Sequence, residues 1–168
     1  MHTRVVKPKH GPRLFVRPLR HGDVRTVVAV FERLGEQSRR ARFHGAKPCL
    51  KRADLRQLAL VDATHHALVA YVERDPRPVA IARLVRKGRC AEIAFEVADE
   101  YQQRGVGSAL AAELIADARA AGITEITALV STDNPAALAL LRRVLDALDI
   151  RLEGPDLWIR APVPLASS

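Results

Sequence analysis

The spacing of apolar residues divides much of the chain into helices. After Asp23, apolar residues recur every three or four positions up to Gly35, which predicts a helix that Asp23 caps. The polar stretch 36–51 predicts a short second helix with a loop, and the next short helix is predicted around 55–59. Two longer helices are predicted at 104–121 and 134–148. The buried stripe of the first of these is predicted to be Val106, Leu110, Leu114 and Ala118.

Short apolar runs between these helices are typical of strands. Three of them, 67–72, 79–85 and 90–97, are separated by short turn-forming stretches and predict an antiparallel meander. Further strands are predicted at 14–18, 123–130 and 157–159. A meander followed by helix, strand, helix and strand predicts an α/β (α+β) fold, with a mixed, mostly antiparallel sheet and helices on both faces.

The length of 168 residues suits one domain with a full core. We expect a flexible N-terminus over 1–12, the folded domain over 13–161, and a loose C-terminal tail over 162–168. No internal repeat or low-complexity segment interrupts this organisation.

The chain is basic, with 27 Lys and Arg against 19 Asp and Glu and a net charge of +8. That charge suits an anionic partner, such as a polyphosphate cofactor or an acidic protein surface. Aromatic residues make up only 4%, which leaves few platforms for stacking bases and argues against nucleic acid as the main partner. We expect no membrane span and no secretory signal, and hence a cytoplasmic location, because the apolar runs are short.

The cysteines and histidines predict neither a disulfide nor a metal site. Cys49 and Cys90 lie far apart in the sequence and form no CxxC pair. His44 and the pair His65–His66 lack a third ligand at helical or hairpin spacing.

A glycine pair marks the start of the helix predicted at 104–121. Gly105 and Gly107 lie between a strand and an Ala/Leu-rich run, where the unpaired N–H groups of a helix start favour an anion. Arg104 adds a positive charge. Leu110 replaces the third glycine of a dinucleotide fingerprint, and no Lys-Ser/Thr follows as in a P-loop. The glycines therefore predict a phosphate cradle of another kind, or a turn that serves only tight packing.

The stretch Val97-Ala-Asp-Glu-Tyr-Gln-Gln-Arg-Gly-Val-Gly-Ser-Ala-Leu110 resembles motif A of the GNAT superfamily of N-acetyltransferases. Gln102, Gly105 and Gly107 match that motif directly. The first half of the chain is similar to the acetyltransferase domain of bacterial Pat-type protein lysine acetyltransferases. The matching segments are 14–23, 31–43, 53–58, 61–62 and 66–70.

The resemblance implies that acetyl-CoA is the cofactor. It implies that Asn134 approaches the pantetheine arm or the thioester, and that this arm pairs with the backbone of Phe95, Glu96 and Val97 near a strand bulge. It also places the pyrophosphate on the N–H groups of a six-residue loop: Gln103, Arg104, Gly105, Val106, Gly107 and Ser108.

Glu92 is the predicted general base. It interrupts an apolar strand predicted to be central, where a carboxylate must be paired or have a raised pKa. The resemblance to Pat-type enzymes also implies a base at this position. The alternative is an exposed acid that pairs with Arg83 or Arg89. Glu96 is the second candidate, because strict alternation places it on the same face of the strand.

Other groups of a catalytic site are less clearly marked. Backbone N–H groups of Phe95 or Val97 are the simplest donors for the thioester oxygen. Leu141 stands where many GNAT enzymes have a tyrosine acid, as also tends to be the case in Pat-type enzymes. Nearby, Arg39, Arg40 and Arg42 form either a site for an acidic protein or a solvated helix face.

These features predict an acetyl-CoA-dependent N-acetyltransferase that acts by direct attack of a primary amine in a ternary complex. The resemblance favours a lysine side chain of a protein as acceptor. A polyamine or aminoglycoside-like amine is the alternative within the same class. A non-catalytic module that binds acetyl-CoA as a sensor, favoured by Leu141, and an RNA-binding protein are the alternatives of other classes.

Overall fold

The structure, a computed structural model, describes residues 2–164 and contains one eight-stranded sheet. The strands are β1 (Arg4–Val6), β2 (Leu14–Pro18), β3 (His65–Val72), β4 (Pro78–Lys87), β5 (Cys90–Val97), β6 (Glu125–Ser131), β7 (Asp149–Glu153) and β8 (Asp156–Pro162). Their order across the sheet is β1-β2-β3-β4-β5-β6-β8-β7.

Five helices and one turn of 3-10 helix complete the described residues. The helices are α1 (Val24–Phe31), α2 (Glu36–Phe43), α3 (Arg52–Leu58), α4 (Val106–Ala120) and α5 (Pro135–Val144), and the 3-10 turn is Asp99–Tyr101. No helix within residues 2–164 is both long and apolar enough to cross a membrane.

The sheet is mixed, with a single parallel pair among its neighbouring strands. β5 and β6 run parallel, and every other neighbouring pair is antiparallel. A parallel pair needs a long crossover connection, which α4 supplies between β5 and β6. The mixed, mostly antiparallel sheet predicted from the sequence is confirmed.

The two faces of the sheet are covered by different helices. Neighbouring residues of β3 point to opposite faces of the sheet. Leu68 lies in the core under α4 and α5, and Val69 lies in a second core under α1 and α3. α2 has no buried residue and lies over β5 and β6 on the face of the second core. Helices on both faces are therefore confirmed as well.

α4 carries the stripe that the sequence predicts. Val106, Leu110, Leu114 and Ala118 are all buried, so the helix packs on the sheet along one side. It begins at Val106, two residues later than predicted, because Gly105 has a left-handed backbone with a φ of 77°.

The sequence missed two strands. β1 lies in the stretch expected to be flexible and pairs residues 4–6 with residues 14–16 of β2. β7 forms the far edge of the sheet, where four of its five residues are exposed, so no alternation of apolar residues marks it. α5 ends at Val144, four residues earlier than predicted, because Leu145 is already extended.

The C-terminal end is partly ordered against the sheet. β8 runs to Pro162, and Val163 is buried and donates its N–H to the Thr124 oxygen at 2.8 Å. The rest of the predicted loose tail, residues 165–168, lies outside the described residues. The domain limits 13 and 161 remain predictions.

Candidate active site

A cleft opens where β5 and β6 part. The two strands pair only over residues 90–92 and 125–127, so β5 has no partner on this side after Glu92. The register between β5 and β4 is regular throughout, and the bulge expected in β5 is absent from that pairing. The opening arises because β6 diverges from β5.

The unpaired part of β5 presents backbone donors to this cleft. Ala98 donates its N–H to the Val79 oxygen on the β4 side, at 2.8 Å. N–H groups point alternately to the two sides of a strand, so those of Phe95 and Val97 point toward the cleft. A ligand lying between β5 and β6 can therefore pair with β5 as a strand would.

The loop before α4 has a row of free N–H groups. Within residues 2–164, the N–H groups of residues 103–108 donate to no backbone or side-chain oxygen. Gln103 has a φ of 56° and Gly105 a φ of 77°, and these conformations turn the chain into the helix. Consecutive free N–H groups at a helix start favour an anion. The loop is thus suited to a phosphate group or another anion.

The glycines of this loop also serve the packing of the protein. A Cβ on Gly105 would overlap the backbone oxygen of His10, and a Cβ on Gly107 would lie 2.7 Å from Leu140 and 3.3 Å from Val97. The missing side chains therefore make room for protein atoms. Close approach of a ligand is not needed to explain glycine at either position.

Gln102 braces the loop through its side chain. Its amide nitrogen donates to the Val97 oxygen at 3.0 Å, to Ser38 Oγ at 3.1 Å and to Asp99 Oδ1 at 3.2 Å. Asp99 also accepts from the N–H of Gly35 and from Ser38 at the start of α2. The loop is in this way tied both to the end of β5 and to α2.

Arg104 belongs to the same loop, and its side-chain charge is exposed. Its guanidinium stacks over the ring of Tyr101, 5.4 Å from the ring centre. Nη1 donates weakly, at 3.4 Å, to the Glu100 oxygen, and most of the charge faces solvent. It can therefore attract a phosphate group to the loop.

Asn134 caps α5 with one half of its side-chain amide. Oδ1 accepts from the N–H of Ala137 at 3.1 Å, while the NH₂ group donates to no other residue between 2 and 164. Its donor is therefore available to a ligand. Seven residues later, Leu141 is 1% exposed and belongs to the core under α4, so this position offers no acid.

Glu92 reaches a cavity on the face opposite α4. It is exposed and opposite Val85 of β4 and Thr127 of β6. It makes no hydrogen bond or ion pair with any described residue, so the pairing with Arg83 or Arg89 considered above does not occur. The cavity measures about 310 Å³ and lies between β5, β4, the start of β3, α2 and α3.

Glu96 is on the same face but has a very different environment. It is 3% exposed, and its Oε1 lies 2.8 Å from Arg83 Nη1 and 3.1 Å from Arg42 Nε. Burial alone would raise the pKa of Glu96, but the two guanidiniums outweigh burial and hold that pKa below its usual value. Glu96 is thus a shielded anion without a direct route for an incoming amine.

Sequence reasoning missed the contacts between residues that lie far apart in the chain. Arg42 and Arg83 meet at Glu96 from two different elements, and His10 packs on Gly105 from the N-terminus. One signal was available, because a carboxylate in an apolar strand needs a cationic partner. Which arginines supply it depends on tertiary packing.

The family model for "Acetyltransferase (GNAT) family" matches residues 29–146, more than half of the chain. The chain belongs to this GNAT family. Its cofactor is therefore acetyl-CoA, and its class is that of an acyltransferase enzyme.

Relatives of this GNAT chain include two named acetyltransferases. Acetyltransferase Pat of Mycolicibacterium smegmatis is 34% identical over 160 residues, covering 92% of this chain and 44% of that protein. Acetyltransferase PA5475 of Pseudomonas aeruginosa is 33% identical over 132 residues, covering 75% of this chain and 70% of that protein. The chain thus spans less than half the length of the Pat protein.

A solved structure agrees with the fold of this GNAT chain over nearly its whole length. The GNAT domain of S. lividans PAT superimposes with a TM-score of 0.85 at 25% identity, covering 95% of this chain and 96% of that domain. The resemblance to GNAT and Pat-type domains is confirmed.

Proposed function

We propose that this chain transfers the acetyl group of acetyl-CoA to the side chain of a protein lysine, with Glu92 as the general base. The observation that carries the proposal is the unpaired Glu92 carboxylate, which faces a cavity beside the point where β5 and β6 part. The similarity to Acetyltransferase Pat and to the S. lividans PAT domain supports the lysine acceptor.

The reaction requires a base that removes a proton from the lysine ammonium. A lysine with a pKa of about 10.4 is neutral at pH 7 in roughly one molecule in two thousand. Glu92 would accept the first proton from the ammonium and leave a lone pair for attack. The new N–C bond forms as the C–S bond breaks, the electron pair leaves on sulfur, and the second amine proton passes to solvent or the thiolate. Because Glu92 is unpaired, its carboxylate would be free to accept this proton.

The cofactor and the base would meet along the unpaired part of β5. Acetyl-CoA supplies the activated acyl group, and the N–H groups of residues 103–108 would hold its pyrophosphate. Phe95 and Val97 would pair with its arm, and the N–H of Phe95, which is nearer to Glu92, would donate to the thioester oxygen. Five residues of extended strand, about 17 Å, separate Glu92 from Val97. The arm would run over this length from the loop to the cavity.

The remaining site residues would support this arrangement. Asn134 would donate its amide NH₂ to the arm, and Arg104 would attract the phosphates. Glu96 would remain ionised and hold Arg42 and Arg83, while Gln102 would fix the loop. Because Leu141 supplies no acid, water would protonate the thiolate, which is a tolerable leaving group with a pKa of about 8.5.

The test is acetyl-CoA consumption with lysine-containing protein and peptide acceptors, for wild type and Glu92→Gln. We expect the variant to lose about 10²- to 10⁴-fold in kcat, with unchanged thermal stabilisation by acetyl-CoA. Glu153→Gln, an exposed acid at the far edge of the sheet, is the matched control and should behave as wild type. Unaltered rates in Glu92→Gln would overturn the assignment of the base.

The same assay separates the other functions. Binding of acetyl-CoA without turnover on any amine would indicate a sensor module. Turnover on polyamines or aminoglycosides but on no lysine peptide would indicate a small-molecule enzyme.

A further inference from the structure

The cavity beside Glu92 is bordered by more positive charge than its buried acid balances. Arg42 of α2 and Arg83 of β4 both line it, and both direct a nitrogen to the same oxygen of Glu96. Two cations and one buried carboxylate leave an excess charge of one, which at rest is balanced by the unpaired Glu92 on the same cavity. When Glu92 accepts a proton this balance is lost. An uncompensated charge in a buried place is costly, so the excess then needs a further anion.

One nitrogen of the Arg83 guanidinium has no partner at the cavity wall. It is 9% exposed, its Nε donates to the Leu58 oxygen at 3.1 Å, and its Nη1 faces Glu96. Its Nη2 is fully buried and has no hydrogen-bond partner among residues 2–164. A buried guanidinium nitrogen without an acceptor, on the wall of a cavity, points to a ligand oxygen.

Arg42 adds the second guanidinium. Only its Nε approaches Glu96, and its side chain lies over the ring of Phe43, 4.9 Å from the ring centre. Its two terminal nitrogens donate to no other described residue. A planar fork with free N–H groups is suited to a carboxylate.

The other charged groups on the cavity wall are already occupied. Asp54 binds Lys47 at 2.7 Å; the rings of His65 and His66 contact Asp62 and Asp117 at 2.9 Å and 2.8 Å. Glu92 attracts Arg42 over a longer distance, without forming an ion pair. That attraction disappears when Glu92 accepts the proton of the amine, so the excess positive charge is greatest during the reaction itself.

We propose that Arg42 and Arg83 form a carboxylate subsite of the acceptor cavity, and that the acetylated lysine has an acidic residue directly beside it in sequence. Arg83 lies on the same sheet face as Glu92 and diagonal to it, because Glu92 is opposite Val85 and Arg83 is opposite Ala94. Diagonal positions lie roughly 7–8 Å apart, a span that a lysine amine and a neighbouring carboxylate can bridge.

This inference rests on the proposed function and specifies its acceptor. The test uses two peptides that differ only beside a central lysine, one with glutamate and one with glutamine on both sides. In wild type we expect kcat/KM for the glutamate peptide to exceed that for the glutamine peptide about 10- to 100-fold. Fluorescence anisotropy of labelled peptides on the CoA-bound protein should show the same order of affinity.

Equal values for the two peptides, or a preference for glutamine, would overturn the carboxylate subsite and leave the proposed function standing. If neither peptide binds or is acetylated while small amines are, the lysine acceptor itself is wrong. The wild-type comparison needs no variant that has to fold.

Variants then locate the subsite. Arg42→Gln should reduce the preference to a few-fold, and Arg42→Lys should restore part of it. Arg40→Gln, an exposed arginine on the same helix, should leave it unchanged. Stabilisation by acetyl-CoA on heating shows whether each variant is folded. A full preference retained in a folded Arg42→Gln would contradict the role of Arg42.

Discussion

Gly105 lies so close to the backbone oxygen of His10 that no Cβ fits between them. The N-terminal segment therefore crosses the loop 103–108, and glycine at 105 is required by the protein's own packing as well as by its φ of 77°. The loop and the segment 8–11 form one unit of structure.

Gly105→Ala should for this reason destabilise the protein more than its backbone conformation alone demands. A left-handed alanine costs roughly 1–2 kcal/mol, and the overlap with His10 adds to that cost. Gly122→Ala is the matched control, with a φ of 76° and nothing within 4 Å of the new Cβ. Urea unfolding of the two variants measures the difference, and acetyl-CoA titration should show weaker binding only for Gly105→Ala. Equal free energies of unfolding would contradict the steric argument.

The two halves of the Asn134 amide should be separable by substitution. Asn134→Ala removes the cap of α5 and should lower the free energy of unfolding by about 1 kcal/mol. Asn134→Asp keeps the oxygen that accepts from Ala137 but loses the NH₂ donor, so it should keep stability and bind acetyl-CoA about tenfold more weakly. Calorimetric titration and urea unfolding test the two effects. Wild-type affinity in Asn134→Asp would exclude a role for the donor.

Asp75 should make the stability of the protein depend on pH in the acid range. Burial alone would raise its pKa, but hydrogen bonds from Arg33, from the N–H of Arg77 and from Tyr101 lower that pKa to about 2. Because the folded value lies below the usual 3.8, Asp75 stabilises the fold above that pH. The contribution is lost as the pH falls toward 2.

Asp75→Asn should therefore be less stable than wild type at pH 7, and the difference should shrink between about pH 4 and pH 2. Urea unfolding across this range measures it. Asp146→Asn, an exposed acid without hydrogen bonds in the described structure, should follow the wild-type curve. A difference that stays constant with pH would show that ionisation of Asp75 contributes nothing.

The elements with buried faces could be predicted from the sequence. The stripe of α4 was placed correctly because every third or fourth residue must be apolar there. The strands of the meander were placed correctly because they are short apolar runs between turns, and β3 and β4 are buried on both faces. β1 and β7 were missed because they are short edge strands whose side chains stay largely in solvent. For such strands the pairing partner, not the residue pattern, determines the structure.

The positions of the candidate site residues could be proposed in part from the sequence. Glu92, the loop 103–108 and Asn134 stand in the chain next to recognisable strand and helix boundaries, so their places could be proposed in advance. The difference between Glu92 and Glu96 could not, because alternation gives both the same face. Their difference comes from Arg42, which lies 54 residues away from Glu96 in the chain.

The sequence by itself determined the order of the helices and of the buried strands, the family motif and the candidate base, because these depend on residues close together in the chain. Tertiary structure decided which acid stays unpaired, which atoms the glycines accommodate and which arginines border the acceptor cavity. These features depend on contacts between distant segments, and whether a charge is paired or buried is fixed only when those segments pack.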